Sequence, residues 1–170
     1  MNTAFERTVS KDEWLTPKHI IDALGPFDLD PCAPVVRPWP TAAKHYTIQD
    51  DGLKQTWSGF VWCNPPYGRQ TGVWLKRMAE HNNGIALTFA RTETRMFFDT
   101  VWREASALLF LKGRLSFVDT SGKAADNSAG APSVLIAYGK NAKMRLLTCS
   151  CPGPSGVPGA YVEVLKGCAT

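Results

Sequence analysis

The sequence predicts an α/β domain with helices on both faces of a sheet. Short apolar runs of strand length recur along the chain and alternate with segments that carry apolar residues at helical spacing. In the helical segment 73–81, for example, Trp74 and Met78 lie one turn apart. The strand-like runs are 27–30, 60–63, 84–90, 107–111, 115–118 and 133–138. This alternation is typical of three-layer α/β proteins.

Length and composition indicate one globular unit. The chain has 170 residues, of which 44% are hydrophobic and 20% charged, and we expect a single domain with one core. Residues 1–11 are polar, lack the apolar stretch of a signal peptide and are predicted to form a flexible arm. Residues 149–170 form a predicted tail rich in Pro and Gly. No apolar run reaches the length of a membrane span, so we expect a cytoplasmic protein without a membrane partner.

Charge is distributed unevenly along the chain. Residues 1–67 carry 6 Lys/Arg and 8 Asp/Glu, whereas residues 68–170 carry 13 and 7. A basic C-terminal part can meet phosphates, and an acidic N-terminal part can hold a cationic small molecule. Chance asymmetry is the alternative explanation.

The cysteines predict no metal site. Cys149, Cys151 and Cys168 could in principle bind zinc, but their spacing matches no common zinc site. Free thiols are the expectation.

The N-terminal elements place a carboxylate at a strand end. Thr16 and Pro17 predict a helix start, with Thr16 as the N-cap and Pro17 in the first turn. After that helix, the strand 27–30 ends in Asp30. Ligands of open α/β sheets bind at the carboxyl ends of strands. A second short strand is expected within 42–48, before an Asp51-Gly52 pair that is either a ligand contact or an ordinary turn.

The segment after the strand 60–63 carries the side chains that most strongly indicate a binding or catalytic site. Prolines at 65 and 66 end the strand and fix the backbone path. Asn64 and Pro65 then offer two oxygen acceptors and Tyr67 offers an aromatic face. This set suits a planar base with an exocyclic amine. A simple strand-ending turn is the alternative.

The remaining segments complete the predicted alternation of strands and helices. They are a helix over 73–81, a strand over 84–90, a polar segment 91–95, a helix over 96–105, a strand over 107–111, a basic turn 112–114, a strand over 115–118, a loop 119–132, a strand over 133–138 and an edge strand within 161–165.

Residues 64–67 resemble the (Asp/Asn/Ser)-Pro-Pro-(Tyr/Phe) motif of amino-methyltransferases. Together with segments 14–17, 27–33 and 112–117 they resemble the phage-type, Dam-like DNA N6-adenine methyltransferases, from about residue 12 to 138. The resemblance implies a Rossmann-like fold that uses S-adenosylmethionine. The chain between Asp30 and Asn64 is too short for two full strand–helix units, which implies a shortened version.

The resemblance also implies the site residues. The catalytic set is Asn64, Pro65, Pro66 and Tyr67. The residues implied for S-adenosylmethionine are Thr16, Pro17, Asp30, Pro31, Cys32, Ala33 and Asp51. Ala33 and Pro34 stand where the family often has glycines, and this departure disfavours a backbone cradle for the donor.

Double-stranded DNA is the implied partner. The candidate contacts are basic residues in predicted loops at or near strand ends: Arg69, Arg91, Arg95, Lys112 and Arg114. Each is equally well explained as solvated surface charge. The resemblance places the protein in the cytoplasm of a bacterial or phage-infected cell. The recognised DNA site, a restriction partner and the oligomeric state, a monomer included, stay open.

Two other functions are compatible with the motif. One is methyl transfer to a protein glutamine amide or an RNA base amine, because the motif recognises an sp² nitrogen. The other is a non-catalytic nucleic-acid-binding module. The segment 112–117 favours the DNA enzymes.

Overall fold

The computed structural model describes residues 15–124, 129–151, 153 and 156–165. Their strands form one sheet with the order β2-β1-β3-β4-β6-β5-β7. The strands are β1 (Leu29–Asp30), β2 (Lys44–His45), β3 (Val61–Cys63), β4 (Gly84–Phe89), β5 (Ala107–Leu111), β6 (Ser133–Tyr138) and β7 (Gly159–Glu163). The helices are α1 (Lys18–Leu24), α2 (Thr71–His81), α3 (Arg95–Phe97, continued by a π-helical turn over Phe98–Trp102) and α4 (Lys140–Ser150).

Five strands point the same way. β1 to β4 are mutually parallel, β6 and β7 run in the opposite direction, and β5 again follows β1 to β4. The carboxyl ends of β1, β3, β4 and β5 therefore meet at one edge of the sheet, here called the carboxyl edge. The chain segments that follow Asp30, Cys63, Phe89 and Leu111 all begin there.

Helices cover both faces of the sheet. On one face, Leu24 of α1 and Leu146 of α4 share a core with Trp62 and Leu87. On the other, α2 and the π-helical turn pack Leu75 and Val101 against residues such as Ile136. The predicted α/β class, with helices on both faces, is confirmed.

The long strands and one long helix agree with prediction. β3 to β6 lie within or match the predicted runs, and α2 begins two residues before the predicted start at 73. The predicted helix over 96–105 is correct only in part, because the chain widens into a π-helical turn. The buried Tyr138 hydroxyl donates to the Thr100 carbonyl oxygen at 2.8 Å. That bond occupies a carbonyl that a regular helix would use itself.

The predicted strand over 115–118 is wrong. Leu115, Phe117 and Val118 are buried as the apolar pattern indicated. However, the pairings of this segment with other described residues are isolated bridges of Val118 with Leu15 and with Ala124. The apolar pattern predicted the burial correctly, but within the described part of the chain no strand pairs with this segment to form a ladder.

Three assignments near the termini need correction. Pro17, not Thr16, is the N-cap of α1, and its position receives no side-chain capping bond. Cys149 lies in α4 instead of opening a tail, and α4 was not predicted. The edge strand exists, but as Gly159–Glu163. Some predicted features lie outside the described residues: the arm over residues 1–11, Trp14, Cys168 and part of the loop 119–132.

None of the helices described here combines the length and apolarity that crossing a membrane requires.

Candidate active site

A cavity of about 640 Å³ lies at the carboxyl edge of the sheet. This volume falls in the range of small-molecule sites, which is roughly 300–1,000 Å³. Segments that follow β1 and β3 form much of its wall. The lining residues are 15–16, 30–35, 41, 47–48, 51–53, 62, 64–67, 70 and 74.

The cavity brings together nearly all residues predicted for catalysis and for the methyl donor. Those at its wall are Thr16, Asp30, Pro31, Cys32, Ala33, Asp51, Asn64, Pro65, Pro66 and Tyr67. Pro17 is the exception, because it is buried at the start of α1 and does not line the cavity.

Asp30 is a buried carboxylate held on both oxygens. Only 3% of the Asp30 surface is exposed to solvent. The Cys32 backbone N–H donates to Oδ1 at 3.1 Å, and the Thr41 hydroxyl donates to Oδ2. Burial raises the pKa of Asp30 from 3.8 to about 6, although these hydrogen bonds and the charge of Arg37 oppose the rise. At neutral pH the group is therefore an ionised carboxylate with little solvent, which favours a cationic ligand.

A thiol ties the segment after β1 to the segment after β3. The Cys32 thiol donates to the Asn64 backbone oxygen at 3.3 Å. Its sulfur also lies 3.6 Å from the sulfur of Cys63. The contact with Cys63 and burial raise the pKa of Cys32, so it stays a protonated thiol and a hydrogen-bond donor.

Tyr67 is positioned by two phenylalanines. Its ring stacks on Phe89, with centroids 4.3 Å apart and an interplanar angle of 10°. Phe117 meets it edge-on at 6.2 Å. The hydroxyl is buried and has no hydrogen-bond partner among the described residues. Burial also raises the pKa of Tyr67, so the ring stays neutral.

The segment 51–53 packs directly against the segment after β1. A Cβ atom on Gly52 would lie 1.9 Å from the Pro31 carbonyl oxygen, so only glycine fits. The Trp57 indole N–H donates to the Gly52 oxygen at 2.8 Å and fixes this loop. Asp51 has a left-handed backbone with φ of 52°, and its carboxylate pairs with Lys54 at 2.7 Å.

Several residues with polar side-chain atoms line the cavity and are not among the predicted site residues, and two of them, Thr41 and Trp74, matter most for its chemistry. Thr41 donates to Asp30, as described above, and nothing local in the sequence links the two. Trp74 was assigned only to the apolar stripe of α2, where its ring does stack with Trp57 at 6.2 Å. Among the described residues, the Trp74 indole nitrogen and the Thr16 hydroxyl are buried without a hydrogen-bond partner. Unsatisfied polar groups at a cavity wall fit a polar ligand.

The five basic candidates are exposed and do not line the cavity. Arg69 follows the 64–67 segment, and Arg91 and Lys112 lie at the carboxyl edge just beyond β4 and β5. Arg95 pairs with Asp99 at 3.4 Å. Arg114 donates to the Ala129 carbonyl oxygen at 3.0 Å, which holds a neighbouring loop.

Within the described ranges, no group of three His, Cys, Asp or Glu side chains is arranged to hold a metal ion.

Comparison with known proteins gives one match. The family model described as DNA N-6-adenine-methyltransferase (Dam) matches residues 4–151. Neither a curated protein nor a solved structure matches the chain. The match extends over most of the 170 residues and includes both strand-end segments of the cavity. The chain therefore belongs to the DNA N-6-adenine-methyltransferase (Dam) family.

Proposed function

We propose that this protein transfers the methyl group of S-adenosylmethionine to the N6 amine of a flipped-out adenine in double-stranded DNA. The observation that carries this proposal is one cavity at the carboxyl edge that joins a buried carboxylate, Asp30, to the Asn64-Pro65-Pro66-Tyr67 segment. The parallel strands around it support a shortened Rossmann-like fold, since the segment 31–60 holds β2 and no helix. Cytoplasmic localisation is part of the same proposal.

The cavity fits the methyl donor in size and chemistry. Asp30 would attract the positively charged sulfonium and amino groups, and Asp51 would accept from the adenine amine of the donor. Thr16 would use the buried hydroxyl that lacks a partner among the described residues. The Ala33 backbone N–H already donates to the Tyr46 oxygen at 2.9 Å. This use of the backbone supports binding by side chains in place of a glycine cradle.

Asn64 and Pro65 would act on the target amine. The amine is a weak nucleophile because its lone pair is delocalised into the adenine ring. The Asn64 side-chain oxygen and the Pro65 carbonyl oxygen would accept hydrogen bonds from its two N–H groups. These hydrogen bonds would favour electron density on the amine nitrogen. They would also stabilise the positive charge that develops there, which is usually the largest catalytic contribution.

The proposed reaction needs no strong base. S-adenosylmethionine, when bound, supplies a methyl group already activated by the sulfonium. The amine nitrogen would form a bond to the methyl carbon while the bond from that carbon to the sulfonium sulfur breaks, so that the donor leaves as a neutral thioether and the amine loses one proton to solvent. Tyr67 would present the ring face not covered by Phe89 to the base, which must leave the duplex to be reached.

Replacing Tyr67 by alanine should lower kcat/KM. The loss should correspond to about 1–3 kcal/mol of binding free energy, because stacking of a base on an aromatic ring contributes that much. Tyr67→Phe should be nearly neutral, because the hydroxyl makes no hydrogen bond within the described structure. Steady-state kinetics on both variants tests this, with thermal unfolding as a control for loss of the Phe89 contact. A Phe variant as impaired as the Ala variant would contradict a stacking role.

Lys112→Gln should weaken DNA binding, because one phosphate contact is lost. In a plot of the logarithm of the binding constant against the logarithm of the salt concentration, the slope should become shallower by about 1. Lys140→Gln is the matched control. It removes another exposed lysine, which follows β6 at the opposite edge of the sheet. Fluorescence anisotropy over a range of salt concentrations measures both slopes. Equal effects of the two changes would refute a DNA surface at the carboxyl edge.

Transfer of a labelled methyl group to DNA, RNA and protein, compared in parallel, tests the proposed function. Incorporation into DNA alone is the expected result. Label in RNA or in a protein amide would favour the alternative substrates, and donor binding without transfer to any of them would favour a binding module.

A further inference from the structure

The Asp30 carboxylate depends on a residue from a different segment. Thr41 lies in the loop before β2, is 5% exposed and lines the cavity beside Asp30. Its hydroxyl donates to Oδ2 of Asp30. A buried hydroxyl that donates to a buried carboxylate forms a charge-assisted hydrogen bond, which is stronger than a neutral one. Thr41 therefore controls the orientation of this oxygen.

A histidine fixes the backbone of Thr41. Nε2 of His45 accepts the backbone N–H groups of Thr41 and Ala42, each at 3.2 Å. An Nε2 atom that accepts must be unprotonated. Burial, aided by the charge of Arg37, lowers the pKa of His45 and keeps the ring neutral. The loop is thus held independently of Asp30, so that Thr41 is already in place when a ligand arrives.

We infer that Thr41 is a positioning residue of the methyl-donor site, and that its hydroxyl holds the Asp30 carboxylate in the orientation and ionisation state that a cationic donor requires. This inference rests on the proposed function. It assigns Thr41 a role through Asp30 and not a role in the chemical step.

The other groups around Asp30 do not replace this bond. The Cys32 backbone N–H holds the opposite oxygen. The Arg37 charge also lowers the pKa of Asp30, but its Nη1 atom is hydrogen-bonded to the Pro34 oxygen at 2.7 Å. His45 pairs in register with Asp30 across β1 and β2 and is neutral. The Cys32 thiol, whose pKa is raised by its contact with Cys63 and by burial, contributes no charge. Thr41 is therefore the side chain that most opposes the effect of burial on Asp30.

Thr41→Ser and Thr41→Ala form a matched pair for the test, since both remove the methyl group and only Ser keeps the hydroxyl. The carboxyl carbon resonance of Asp30, assigned by its absence in Asp30→Asn, is titrated by NMR in the ligand-free protein. Calorimetry with S-adenosylmethionine is performed at a series of pH values from 5 to 8. Thr41→Val serves as a second hydroxyl-free variant in case the smaller side chain destabilises the loop.

In the wild type, donor affinity should rise with pH through about 6, the pKa of Asp30, and then level off. Without the hydroxyl, both the resonance midpoint and the affinity midpoint should move to higher pH, and affinity at neutral pH should fall about tenfold. Thr41→Ser should restore both. Midpoints that stay in place in Thr41→Ala and Thr41→Val, or that Ser fails to restore, would overturn the inference. A wild type that binds no donor at any pH would instead reject the proposed function.

Discussion

Replacing Asn64 by alanine should slow methylation in a single turnover by about two to three orders of magnitude, the usual cost of removing one preorganised group that stabilises developing charge. Donor affinity should be nearly unchanged, because the proposed role of the side chain lies at the target amine. The Asn64 backbone oxygen, which accepts from the Cys32 thiol at 3.3 Å, is present in both proteins. Rapid-quench kinetics with saturating donor and DNA separates the chemical step from binding.

Asn64→Asp is the control for this experiment. A carboxylate keeps an oxygen acceptor at the same position, so the Asp variant should retain far more activity than the Ala variant. Equal single-turnover rates of wild type and Asn64→Ala would refute the role of the amide oxygen. A rate loss matched by an equal loss of donor affinity would place Asn64 in the donor site instead.

Asp30→Asn should lower donor affinity by at least about a hundredfold at neutral pH, because a buried, ionised partner of a cation is removed. The shape of the side chain and its contacts with Thr41 and Cys32 can persist, since an amide both donates and accepts. Calorimetry with S-adenosylmethionine measures the loss. Affinity like that of the wild type would remove Asp30 from the donor site.

The same change should not destabilise the ligand-free protein. The pKa of Asp30 rises from 3.8 to about 6 on folding, so the folded state binds more protons than the unfolded state between these values. The free energy of unfolding therefore falls as pH rises through that window, by at most roughly 3 kcal/mol. Asp30→Asn avoids this cost, and thermal unfolding at neutral pH should show a midpoint equal to or above that of the wild type. A clear drop in the midpoint would show that Asp30 serves the fold instead of a ligand.

Strand-end motifs could be predicted because their local sequence determines their geometry. An apolar run that ends in Asp30, or in Asn64 followed by two prolines, fixes both a strand and the point where it stops. Parallel strands then bring these ends to one edge of the sheet. The positions of the two segments relative to each other follow from topology alone.

Contacts across the fold could not be predicted in the same way. Thr41 reaches Asp30 only because β2 pairs beside β1 and His45 folds the preceding loop back. Trp74 lies on an apolar helix stripe, and the sequence pattern does not show that its side chain lines a cavity. The burial of its indole nitrogen follows from the folded structure. The α4 segment, KNAKMRLLTCS, has few strongly apolar residues, and its helix depends on packing Ala142 and Leu146 against the sheet.

Identification of the methylated nucleoside distinguishes adenine methylation at Asn64 from every alternative. Double-stranded DNA is incubated with wild-type protein and labelled S-adenosylmethionine, digested to nucleosides and separated by mass spectrometry, with Asn64→Ala as the negative control. We expect label in N6-methyladenine with the wild type and almost none with the variant. Label in methylated cytosine, or equal amounts of N6-methyladenine with both proteins, would contradict it.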